Sequence, residues 1–165
     1  MNRFIIFLFL TFIINTSFAQ IVEIPKFSDY PARIYTGPTS APKLTTPYHK
    51  NYKTRLTNSS KEDINFAGEY VLSVWGCGTS CRVYTFINKR TGAILDTPFG
   101  GEGGENIVSI RANSKVIITT EELYTNDYDS LGYMAYYYVL ESGRFKKVAQ
   151  LPISEDLYQE TRYNY

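Results

Sequence analysis

Both cysteines of the chain fall inside one run, Trp75-Gly76-Cys77-Gly78-Thr79-Ser80-Cys81, which joins two stretches of strand character. Thiols this close, in a chain that opens with an export signal, predict a disulfide stapling the tip of a β-hairpin. Gly76 and Gly78 supply the backbone freedom that brings two α-carbons within about 7 Å. The spacing is C-x-x-x-C and not the C-x-x-C that lowers a thiol pKa at a helix start. Two thiolates with the single histidine do not fill a tetrahedral shell, so no metal site is expected.

The export signal is the N-terminal segment. Arg3 gives a basic start, Phe4 to Ile14 is apolar apart from Thr11, and Ser17-Phe18-Ala19 places small residues before Gln20. This pattern predicts a signal peptide over residues 1–19 with cleavage before Gln20, and a periplasmic or extracellular destination. The apolar run is about half the roughly 20 residues that a spanning helix needs, so membrane insertion is not expected. With Arg3 set aside, bases and acids balance, and no basic run exceeds two residues. Nucleic acid and anionic lipid require concentrated positive charge and are not expected partners.

Residues 20–64 read as a proline-rich extended arm followed by a polar loop, with five of the seven prolines between Pro25 and Pro47. From residue 65 to 165 strands and turns alternate, which predicts an all-β domain: an antiparallel meander forming a sandwich, barrel or propeller-like sheet. Tyr70, Leu72 and Val74 form the apolar face of the first strand, with Glu69 and Ser73 on the other. Arg82 to Asn88 is its partner, ending in the Lys89-Arg90-Thr91-Gly92 turn. Further hairpins pair residues 107–110 with 115–120 and 133–140 with 145–151. Ser154 suits the cap of a short closing helix over residues 155–162, the alternative being a final strand.

No catalytic constellation stands out. The lone His49 lies in a polar stretch and reads as an exposed loop residue, with no G-x-S-x-G motif to make it a base. The Phe99-Gly100-Gly101-Glu102-Gly103-Gly104-Glu105 run reads as a flexible loop. Its carboxylates oppose phosphate and no P-loop lysine follows, so no nucleotide cofactor is expected. Asn126 to Ser130 lacks the glycine and terminal glutamate of a calcium loop and reads as a solvated turn.

Asn65-Phe66-Ala67-Gly68-Glu69-Tyr70, then the Trp75 to Cys81 run, then Thr91-Gly92, resembles a pattern of uncharacterised exported proteins of Gram-negative bacteria. The likeness covers residues 65–95. It implies an envelope location and a shared fold element and supplies no catalytic residues. In size and β content the chain is also loosely similar to periplasmic lysozyme inhibitors and immunity-type binders. All fifteen tyrosines lie outside the leader, and such rings serve half-buried strands and wet interfaces. The resulting expectation is a non-catalytic module that binds a protein or an envelope polymer through Trp75, Gly78, Thr79, Phe99, Glu102 and Glu105. The alternative is a small secreted hydrolase using Glu102 and Glu105 as its acid/base pair.

Overall fold

Alternation along Tyr70–Gly78 sends Tyr70, Leu72 and Val74 to one core, while Val71, Ser73 and Trp75 of the other face are buried as well. The computed structural model describes residues 23–161 and 165; the expected leader and its cleavage point lie outside them. The strands are β1 (Tyr70–Gly78), β2 (Cys81–Asn88), β3 (Ile94–Leu95), β4 (Gly101–Glu102), β5 (Asn106–Ile110), β6 (Val116–Tyr124), β7 (Ser130–Glu141) and β8 (Arg144–Ile153). They form two four-stranded antiparallel sheets. One has the order β1-β2-β3 with β4 also pairing with β2, and the other runs β5-β6-β7-β8. The fold is thus an all-β antiparallel one in two sheets, with neither closed into a barrel.

One core joins the sheets. Leu72, Tyr84 and Phe86 from the first meet Ile107, Ile117, Tyr138 and Leu140 from the second. Phe145 of β8 bridges them, with its ring centroid 5.4 Å from Phe86 and 6.1 Å from Phe66. Phe66 and Phe86 are fully buried, and each such side chain contributes on the order of 2 kcal/mol through removal from water. As expected, β5 pairs with β6 and β7 with β8, while the long β6–β7 ladder makes the second sheet continuous.

The later part of residues 20–64, read above as extended arm and polar loop, contains helical turns. Helix α1 (Pro47–Asn51) begins where the Thr46 side chain accepts a bond from the His49 backbone N–H and proline occupies the first turn. Helix α2 (Lys53–Ser59) follows and lies on the outer face of β1. Ser73, which the pattern placed on the polar face, is therefore buried and shares a 2.8 Å hydroxyl contact with Ser59. Residues 23–46 run as a strap, extended apart from one 3-10 turn at Phe27–Asp29 and tied by backbone bonds from Ala32 to Asn113, Tyr35 to Gly68, Ser40 to Lys89 and Lys43 to Gly92.

The closing helix α3 (Glu155–Thr161) starts at Ser154, whose Oγ accepts from the Leu157 N–H, and carries Glu155 and Asp156 in its first turn. It packs on β7, where Tyr158 stacks on Tyr133 with centroids 4.5 Å apart.

Candidate functional site

The β1–β2 hairpin ends in the Cys77–Cys81 disulfide, with α-carbons 5.1 Å apart. A register shift between Gly76 and Gly78 accommodates the extra residue, and Ser80 takes a positive φ of 53° in the turn. Strand β4 then lays the glycine run against this tip: Cys81 pairs with Glu102, Arg82 with Gly101, and the Gly103 N–H donates to the Ser80 carbonyl at 3.2 Å. The run is consequently pinned at this end. Gly100 has φ of +89°, and a Cβ there would lie 2.7 Å from the Arg82 carbonyl and 2.8 Å from the Tyr84 ring, so only glycine fits.

Between this paired tip and the second sheet lies a cleft of about 740 Å³. Thr79, Ser80, Arg82, Gly103 and Gly104 form one wall, and Glu122, Tyr124, Tyr158 and Tyr165 the other. Asn106 also lines it, held in place as its Oδ1 accepts the Tyr84 hydroxyl at 3.2 Å. Burial raises the Tyr84 hydroxyl above its ordinary range, with Arg82 beside it acting in the opposite direction. On the far wall the Glu122 carboxylate beside it pushes the Tyr124 hydroxyl up to about 12. Tyr133, whose ring stacks under Tyr158, is raised first by burial and then by the charges of Glu122 and Glu155. One wall therefore offers backbone amides and small hydroxyls, and the other tyrosine rings with carboxylates between them.

Of the residues singled out from the sequence, Trp75, Gly78 and Thr79 line the cleft and Glu102 is exposed on β4 beside it. Phe99 and Glu105 are placed differently, and Trp75 is largely covered. The Trp75 side chain is buried on the outer face of β1, 4.9 Å from the Tyr52 ring and under the Arg55 guanidinium, because α1 and α2 cover that face. It packs against the helices. Phe99 is buried 5.3 Å from Tyr138 and 5.2 Å from Phe145, as its position just before the pinned glycines turns it into the shared core.

Glu105 is drawn inward as well. Its carboxylate accepts the Tyr138 hydroxyl at 2.7 Å and the Thr119 hydroxyl at 2.5 Å, and Lys147 Nζ is 3.6 Å away. It is not paired with Glu102, which sits on the cysteine-tip ladder. His49, read as an exposed loop residue, is buried on α1 with Nε2 3.8 Å from Asp96.

The exposed aromatics that the pattern missed include Tyr124 and Tyr128, at 51 % and 86 %, beside Leu131 at 65 %, and also Tyr48 and Tyr165. The signal for Tyr124 and Tyr128 was the tyrosine-rich β6–β7 hairpin, but period two alone does not say which tyrosines clear the sheet edge. Among the described residues no cluster of three or more His, Cys, Asp or Glu is arranged to hold a metal ion, and no helix is long and apolar enough to cross a membrane. No family model, no curated protein and no solved structure matches the chain.

Proposed function

We propose that this protein is a non-catalytic binding module of the periplasm or extracellular space, capturing a protein or envelope polymer in the cleft beside the Cys77–Cys81 tip. The observation that carries this reading is the β2–β4 pairing, which joins the two glycine-rich loops into one rigid wall opposite Tyr124, Tyr158 and Tyr165. A pre-formed concave site with aromatic side chains and a few oriented polar groups is the usual form of a binding site. Interface energy concentrates in aromatic anchors of this kind. The disulfide suits an oxidising compartment, as does the resemblance of residues 65–95 to exported envelope proteins.

The test is site-specific photo-crosslinking in envelope extract, with the reactive group placed at Thr79, at Tyr124, or at Asp63 near the strap. A discrete adduct from Thr79 and Tyr124 that is absent from Asp63 supports the reading. Identical adducts from all three positions would sink it. Hydrolytic turnover abolished by Glu102→Gln in a folded protein would replace it with the enzyme.

A further inference from the structure

The near-zero net charge hides a strong segregation. From Val116 to Gly143, and again from Val148 to Thr161, there is no lysine, arginine or histidine. These segments build the β6–β7 hairpin and α3, the elements that supply the tyrosine wall of the cleft. Near that wall they carry Glu122, Asp127, Asp129, Glu155, Asp156 and Glu160. Among the described residues the ion pairs draw on Glu69, Asp96, Glu105 and Glu141, and on none of these six. Solvent-exposed apolar surface coincides with them: Tyr124, Tyr128, Leu131 and Leu157 are all exposed at this end. An aromatic surface rimmed by one sign of charge marks a docking face and selects partners of the opposite sign.

We infer that this tyrosine-studded, acidic face receives a cationic protein segment, rich in Lys and Arg, whose side chains enter the cleft along Tyr124 and Glu122. The inference rests on the binding reading above and names the partner's chemistry. The ring face of tyrosine attracts a cation, and a carboxylate beside the ring adds a charge-assisted bond. The molecule holds one of its own cations by the same chemistry. Lys147 Nζ lies 3.8 Å over the Tyr136 ring and 5.5 Å from that of Tyr138, with the Glu105 carboxylate 3.6 Å away. At the cleft the corresponding groups are Glu122, opposite Tyr133 in the β6–β7 ladder, and the Tyr124 and Tyr158 rings that line the same cleft.

The experiment titrates the full exported protein with three probes: a fluorescent oligo-arginine peptide, an oligo-glutamate peptide of equal length, and a neutral chito-oligosaccharide. Anisotropy is read at low and at physiological ionic strength. The arginine peptide is expected to bind, more weakly as salt rises, because exposed charges are screened over about 8 Å at physiological ionic strength. Tyr124→Ala should weaken it by about two- to fivefold, the range of an exposed cation–π contact. Combined Glu122→Gln, Asp127→Asn and Asp129→Asn should remove most of the salt dependence, while Asp63→Asn beside the strap should change nothing. Circular dichroism checks that each variant is folded.

If the arginine peptide does not bind, or binds with no response to these substitutions, the inference is overturned. If the oligosaccharide or the glutamate peptide binds instead and Tyr124→Ala weakens it, the cationic partner falls while the cleft remains a binding site. If no probe binds and crosslinking from Thr79 and Tyr124 also gives no discrete adduct, both readings fall.

Discussion

Cys81 lies opposite Glu102 in an antiparallel ladder, so the staple of one loop is also the first rung that holds the other. The disulfide closes a ring of only five residues, which limits its effect on the unfolded chain to about 2 kcal/mol. Replacing both cysteines by serine should therefore lower unfolding free energy by no more than that, measured by denaturant titration. Because β4 is anchored on Cys81 and Arg82, amide exchange should accelerate at Gly103, whose N–H bonds to Ser80, more than at Leu72 in the core. Equal acceleration at both would show that the staple acts on the whole domain.

A second expectation concerns the seam between α2 and β1. Ser59 and Ser73 are both buried, and their hydroxyls satisfy one another at 2.8 Å. Ser73→Ala leaves the Ser59 hydroxyl buried without that partner and should cost about 1–3 kcal/mol. The double alanine variant removes both polar groups and should recover part of the loss. A double-mutant cycle by thermal unfolding checks this, and strictly additive losses would mean that the two hydroxyls do not depend on each other.

The strap offers a third comparison, at two glycines with nearly the same backbone strain. Gly92 has φ of +72°, and a Cβ there would lie 2.0 Å from the Ala41 carbonyl; Gly101 has φ of +88° with nothing within 4 Å. Gly101→Ala should cost only the left-handed conformation, about 1–2 kcal/mol. Gly92→Ala should cost about 1 kcal/mol more, as it also displaces the strap and the Lys43 N–H bond to the Gly92 carbonyl. Exchange at the Lys43 and Ser40 amides should rise in Gly92→Ala and stay unchanged in Gly101→Ala. Unchanged exchange in both would show that the strap is not seated on this glycine.

The strands were readable from sequence because their determinants are local. Tyr70, Leu72 and Val74 alternate with polar or outward residues, the cysteines mark their own turn, and Ser154 precedes two acids as a helix start does. Helix α1 had a local signal too, Thr46 followed by Pro47, but its few apolar side chains gave no periodic stripe to extend it. The fates of Phe99 and Glu105 were not local. Each is fixed by residues far along the chain, as the 33-residue separation between Glu105 and Tyr138 shows, so the composition of the glycine run suggested an open loop. Trp75 was half legible for a related reason: it lines the cleft, but its cover comes from Tyr52, at the α1–α2 junction, and Arg55 of α2, in a stretch that the pattern had assigned to loop. The pairing that brings Gly101 beside Arg82, and hence the cleft, also needs two separated segments to meet.

The last expectation is an alkaline one, set by the tyrosines around Glu105. Burial first, and then the bond to Glu105, holds the Tyr138 hydroxyl well above the ordinary 10; burial and the bond to Glu121 push Tyr136 up to about 12. Raised values in the folded state mean that the folded protein keeps protons which the unfolded chain releases from about pH 10 upward. The stability from these groups is therefore complete below pH 10 and is lost as pH rises from about 10 towards 12 and beyond. Phenolate absorbance of the folded protein should show a lagging fraction above pH 10, followed by a cooperative rise as the domain unfolds. Glu105→Gln keeps an acceptor for Tyr138 but removes the charge, so part of the lagging fraction should move to lower pH. Lys147 loses its carboxylate in the same variant and would then favour the Tyr136 and Tyr138 phenolates, which adds to the downward shift. A wild-type titration complete near pH 10 with the fold intact would refute the enclosed hydroxyl–carboxylate network, and an unchanged profile in Glu105→Gln would assign the lag to burial alone.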